Sequence, residues 1–136
     1  MKILFDTNVV LDVLLNRAPY SEVAVELFAA VEKRKIQGYL CATTITTVDY
    51  LATKSVGRAA AKTAISGLLE LFSIADVNQV VLKLALNSDF SDFEDAVLYH
   101  AGYCVAVDGV VTRNGKDFKT ANLPIYTPDE LWAIIR

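Results

Sequence analysis

A chain of 136 residues that is 54% hydrophobic and 21% charged has enough apolar mass for one buried core and too much to remain disordered. Its net charge of −3 gives no overall attraction to nucleic acid, so a polyanionic substrate has to be met by local basic groups or by a cation. No apolar run approaches the ~18 residues of a membrane span, and no basic-then-apolar leader opens the sequence, so the expectation is a cytoplasmic protein without a membrane partner.

Lys2 to Phe5 is a short apolar run ended abruptly by Asp6-Thr7-Asn8. That is the pattern of a buried central strand delivering Asp6 to the carboxyl edge of a sheet, where open α/β folds bind ligands. Two readings of Asp6 stand side by side: an N-cap for the next helix, or a carboxylate that holds a cation or acts as nucleophile. Val9 to Leu15 is apolar on nearly every side and predicts a short buried helix, broken by Asn16-Arg17-Ala18-Pro19. Tyr20 to Lys35 carries Val23, Leu27, Ala30 and Val31 at helical spacing. After Gly38, Tyr39 to Ala42 predicts a second strand, and Thr43 or Thr44 caps a helix reaching about Lys54. Arg58 to Leu71 is a further helix with Ala61, Ile65, Leu68 and Leu69 inward, Phe72 to Ala75 a third strand, and Asp76 the cap of a helix through Val80, Val81, Leu84 and Ala85. Ser91 caps the next helix, which runs to Ala101. Cys104 to Val107 predicts a fourth strand, Asp108 to Lys119 a polar loop, and Leu123 to Tyr126 a fifth strand. Thr127-Pro128-Asp129-Glu130 opens the last helix with a threonine cap, a proline in the first turn and a capping-box glutamate. Strands alternating with helices imply one α/β domain over residues 1–136, with a parallel sheet covered on both faces. Cys41 and Cys104 lie in apolar stretches and read as small core residues in a reducing compartment, without a disulfide.

Acids gather at Asp89-Phe90-Ser91-Asp92-Phe93-Glu94-Asp95. With Ser91 as N-cap, Glu94 closes a capping box and has a structural task. Asp92 and Asp95 are three apart and share a face; Asp92 also reads as a favourable charge beside the helix dipole, whereas Asp95 sits at the edge of the buried side. His100, the only histidine, reads as structural. The segment Val111-Thr112-Arg113-Asn114-Gly115-Lys116-Asp117-Phe118 reads by itself as a solvated turn. Polar and acidic groups reaching one sheet edge from distant segments repel unless a cation compensates. Without a Cys or His cluster that cation is a hard one, Mg²⁺ or Mn²⁺.

The order of these pieces resembles the PIN domain, the metal-dependent ribonuclease family that includes the VapC-type toxins of bacterial toxin–antitoxin pairs. The likeness spans the chain, from Ile3-Leu4-Phe5-Asp6-Thr7-Asn8-Val9 through Asp92-Phe93-Glu94-Asp95-Ala96 to Val111-Thr112-Arg113-Asn114 with Asp117-Phe118. It implies strand order 3-2-1-4-5, with the site where the order reverses. It implies Asp6 and Asp95 as metal ligands and Asn114 where many members carry a further acid, with Asp117 close enough to contribute through water. The family places a glutamate on the helix after the second strand; here Thr47 takes that position. Asp49, the nearest acid, lies roughly 200° further round the helix. Either the helix shifts register to bring Asp49 in, or the site is one carboxylate short.

The activity so implied is RNA phosphodiester hydrolysis, with Asp6 and Asp95 holding the ion and Asp92 or Asp117 orienting the attacking water. Asn8, Thr47, Thr112 and Asn114 are supporting residues, with Thr112 a donor to phosphate or to Asp6. Arg17, Arg113 and Lys116 are candidates for the RNA backbone, as is the basic stretch Lys54, Arg58 and Lys62. Expected partners are RNA, an antitoxin segment and a second copy of the chain, the homodimer resting partly on the apolar surface of the run Val9 to Leu15 and of the helix from Tyr20. Two rivals remain. A haloacid-dehalogenase-like phosphatase would want an aspartate where Asn8 stands. A degenerate interaction domain would use the acidic edge only for partner contact.

Overall fold

The computed structural model describes all 136 residues, folded about a five-stranded parallel sheet in the order β3-β2-β1-β4-β5. Strand β1 (Lys2–Phe5) is central, between β2 (Gln37–Cys41) and β4 (Gly109–Val111); β3 (Ser73–Ala75) and β5 (Ile125–Tyr126) form the edges. The helices are α1 (Thr7–Leu14), α2 (Ser21–Glu32), α3 (Ala42–Val56), α4 (Arg58–Leu71), α5 (Gln79–Leu86), α6 (Phe93–Cys104) and α7 (Pro128–Ile135), with a short 3-10 turn at Gly115–Phe118. No helix is long and apolar enough to cross a membrane.

Strand β1 buries both of its faces, which is why it reads as an unbroken apolar run. Ile3 and Phe5 enter a core built with α1, α2, α3, α4 and α7, while Leu4 enters a second core with α5 and α6. In the first, Phe5, Phe28 and Phe72 meet edge-on, with ring centroids 5.1 to 5.9 Å apart. In the second, α6 lies tight against β1 at Gly102, where an added Cβ would come within 2.8 Å of Leu4 Cδ2. This close approach is what brings the start of α6 up to the carboxyl end of β1.

Several local expectations are corrected by packing. The apolar residues from Cys104 do not form a strand: Cys104 ends α6 and is exposed, Ala106 takes a positive φ of 60°, and the chain turns into β4 at Gly109. Val107 N–H closes that turn on Gly102 O at 3.1 Å, and Asp108 pairs with the backbone of Lys2. Helix α5 is capped by Asn78 rather than Asp76, and on α4 Leu69, expected inward, is exposed while Ala61 and Leu68 are buried. Helix α3 starts at Ala42, one residue after Cys41, so neither Thr43 nor Thr44 caps it. The apolar surplus expected at α1 is absorbed internally: Val9, Val10 and Leu11 are buried, and Val13, Leu14 and Leu15 pack against the same core. In the helix region from Tyr20, Tyr20 and Val25 are exposed, and further large exposed apolar side chains lie on α5 at Val80, Leu82, Leu84 and Leu86 and on α6 at Phe93 and Tyr103.

Candidate functional site

The strand order reverses at β1, so the carboxyl ends of β1 and β4 open onto a crevice between diverging connections. Asp6 stands there, buried, in an extended conformation that ends the strand and caps α1. One carboxylate oxygen, Oδ1, accepts Thr7 N–H at 2.7 Å. The other, Oδ2, accepts the Thr112 hydroxyl at 2.7 Å and Asn8 Nδ2 at 3.2 Å. The two sequence readings of Asp6 are thus compatible: the residue caps a helix and also presents a carboxylate at the ligand edge. Burial pushes its pKa up; the bonds from Thr112 and Thr7 oppose the shift, and Asp117 and Glu94 reinforce it.

Asp95 comes from the first turn of α6 and is half-buried. Its pKa is pushed up to about 7, first by burial and then by repulsion from Asp6, Asp92, Asp117 and Glu94. Acids from β1, α6 and the 3-10 turn therefore share one field at the sheet edge. No three acidic, histidine or cysteine side chains converge into a ready-made metal cage. The donor set suits a hard cation that keeps much of its water, held by one or two carboxylates, and whose charge would relieve the mutual repulsion.

The remaining candidates fall into distinct places. Asp92, not Ser91, is the N-cap of α6: its Oδ1 accepts Asp95 N–H at 2.9 Å. The Ser91–Glu94 capping box is therefore not formed, and Glu94, given a structural task from the sequence, instead joins the acids around Asp6 and Asp95. Thr112 is fully buried and accepts Asn114 N–H at 3.0 Å while donating to Asp6. The Asn114 side chain is exposed, and Lys116 is exposed beside it. On α3, Thr44 is buried and bonds Thr7 through their hydroxyls at 3.0 Å, which fixes the register of that helix. Thr47 lies roughly 60° and Asp49 roughly 140° around the helix from Thr44. Asp49 is absent from the charges acting on Asp6 and Asp95, so α3 sends no acid to the crevice.

Arg17 and Arg113, expected at the RNA backbone, both turn to Asp12. Asp12 escapes a reading of the sequence because it sits in a run that reads as nearly uniformly apolar. Its signal was an acid inside that run, four residues after Asn8 and so on the same helical face.

A parallel α/β sheet whose first strand ends in a buried aspartate, joined by acids from the last two connections, defines a class of domain with an acidic crevice at its switch point. The chain belongs to the PIN domain family, whose model matches residues 2–116. Its structure is similar to a toxin–antitoxin complex from Klebsiella pneumoniae, with 25% identity, a TM-score of 0.69, and 93% of this chain and 97% of that one covered. It is also similar to FitAcB from Neisseria gonorrhoeae, with 19% identity, TM-score 0.71, and coverage of 93% and 97%. A third similar structure is VapC20 from Mycobacterium tuberculosis, described as a toxin that cleaves the sarcin-ricin loop, with 15% identity, TM-score 0.70, and coverage of 88% and 95%. A search of curated protein sequences gives no significant match.

Proposed function

We propose that the chain is a metal-dependent endoribonuclease, the toxin of a type II toxin–antitoxin pair, hydrolysing RNA phosphodiester bonds at the acidic crevice. The observation that carries this reading is the meeting of Asp6, Glu94, Asp95 and Asp117 at the switch point, where burial first and then repulsion among these acids push the Asp95 pKa up to about 7. Asp6 and Asp95 would hold Mg²⁺ or Mn²⁺. Such an ion, when bound, polarises a phosphate oxygen and lowers the pKa of a water molecule. Thr112 and Asn8 keep the Asp6 carboxylate aimed by bonding one of its oxygens. Asp117, half-buried and close enough to influence both Asp6 and Asp95, would accept a proton from the attacking water. Lys116, exposed on the same turn, would meet the RNA backbone.

The similarity to toxin–antitoxin complexes supports an antitoxin partner, and the exposed apolar side chains of α5 and α6 support a homodimer. The absence of an acid from α3, together with Asn114, favours as second reading a PIN domain that binds RNA and cleaves it slowly. Incubation with single-stranded RNA separates the two. Cleavage that requires Mg²⁺ or Mn²⁺, stops with EDTA and falls by about two orders of magnitude or more in Asp6→Asn supports the nuclease. RNA binding without metal-dependent cleavage supports the second reading.

A further inference from the structure

Arg113 is gripped at two points by one face of α1. Its backbone N–H donates to Asn8 Oδ1 at 3.4 Å, and its guanidinium donates to Asp12 through Nε at 2.7 Å and Nη2 at 3.2 Å. Asn8 and Asp12 are four residues apart in the helix, so they stand one above the other. The guanidinium also lies over the Tyr20 ring, 3.9 Å from its centroid. Asp12 has no access to solvent, and the only other cation near it is Arg17, whose Nε is 3.4 Å away.

From Arg113 two routes lead to Asp6 Oδ2. Asn8, which accepts from Arg113, donates its Nδ2 to that oxygen at 3.2 Å. Asn114, the next residue, donates its N–H to Thr112 Oγ1 at 3.0 Å, and that hydroxyl donates to the same oxygen at 2.7 Å. An arginine used to contact RNA would turn its fork to solvent. Here two of its donors are committed to a buried carboxylate and its face is covered by an aromatic ring.

We propose that Asp12 and Arg113 are positioning residues: a buried clamp that holds the Thr112–Asn114 segment against α1 and thereby sets the orientation of the Asp6 carboxylate. Arg113 serves the site through this clamp and not by touching RNA. The proposal rests on the reading of Asp6 as a metal ligand for its functional half, but the clamp itself is a matter of geometry. Partners that orient a ligand from behind commonly account for tenfold to a hundredfold in metal affinity. Lysine cannot reproduce a bidentate, stacked guanidinium, so Arg113→Lys keeps the charge while releasing the clamp.

The test uses Arg113→Lys together with the paired change Asp12→Leu/Arg113→Leu. The pair removes the buried acid together with Arg113, so no buried carboxylate is stranded, and Arg17, whose side chain is 40% exposed, can turn its charge to solvent. Three quantities are read on the full chain: amide hydrogen exchange, Mn²⁺ affinity by calorimetry, and affinity for a single-stranded RNA oligonucleotide in EDTA. The expected result in both variants is exchange at least tenfold faster at Arg113 and Asn114, with the sheet amides of Asp6 and Thr112 unchanged. Mn²⁺ affinity should fall at least tenfold and RNA affinity less than twofold. Unchanged exchange at Arg113 and Asn114 overturns the clamp. Faster exchange with Mn²⁺ affinity intact overturns the positioning role, and a loss of RNA affinity with Mn²⁺ affinity intact makes Arg113 an RNA contact instead. If the unaltered protein binds no Mn²⁺, the metal reading of the crevice fails, and the amide exchange alone decides the clamp.

Discussion

Replacing Asp95 by asparagine is expected to stabilise the metal-free protein at and above neutral pH. In the folded state Asp95 titrates at about 7 against 3.8 for an unperturbed carboxyl, because α6 half-buries it and sets it beside Asp6, Asp92, Asp117 and Glu94. The folded chain therefore binds this proton more tightly than the unfolded chain. The stability it contributes is complete below 3.8, declines as the pH rises, and is lost once the pH has passed about 7. At 1.36 kcal/mol per pH unit a fully shielded group would account for about 4 kcal/mol. Asp95 is only half-buried, and solvent screening reduces this to about 1–2 kcal/mol. For a chain of this length that is about 3–8 °C in Tm. Urea melts in EDTA at pH 5 and pH 8 should show the unaltered protein losing about three-fifths of this, about 1 kcal/mol, between the two, since the decline has already begun by pH 5, and Asp95→Asn losing markedly less. Asp6, raised in the same direction by its burial, leaves a residual slope in the variant. Adding Mg²⁺ or Mn²⁺ at pH 8 should restore stability to the unaltered protein and little to the variant. An Asp95→Asn protein no more stable than its parent at pH 8 in EDTA, with the same pH slope, would refute the argument that these acids share one field.

Introducing glutamate at Thr47 should return an acid from α3 to the crevice, raising Mn²⁺ affinity about tenfold and cleavage with it, while lowering metal-free stability; calorimetry and a melt in EDTA check both. Thr112→Val keeps the shape of a buried side chain but removes the donor to Asp6 Oδ2, which should cost about 1–3 kcal/mol in urea unfolding at pH 8. The same change should drive the Asp6 pKa further up, read by carboxyl NMR in the absence of metal, since the Thr112 bond now opposes the shift. Gly102→Ala places a methyl 2.8 Å from Leu4 Cδ2 and 3.2 Å from Val107 Cγ2 and should destabilise by about 1–3 kcal/mol. By lifting α6 from β1 it should also weaken Mn²⁺ binding, which a simple loss of stability would not do.

What could be read from the chain alone was whatever is set within a few residues. The run Ile3–Phe5 ending at Asp6 marks a strand buried on both faces, because successive apolar side chains point to opposite faces of the sheet. Thr127, Pro128 and Glu130 mark the start of α7, and both bonds of that capping box are present, at 2.8 and 3.1 Å. The alternation of such elements was enough for a parallel α/β fold, and resemblance to the PIN domain supplied the strand order. Tertiary packing decided between local signals of equal strength. Cys104 to Val107 and Gly109 to Val111 are both short apolar stretches, and only the second is in register with Ile3, Leu4 and Phe5. Ser91 and Asp92 are both good caps, and the choice between them moved Glu94 from a structural task to the rim of the crevice. The pairing of Asp12 with Arg113 spans 101 positions, so no window on the sequence contains it. A buried charge is tolerated only where the fold has delivered its partner, and that delivery depends on β4 lying beside β1.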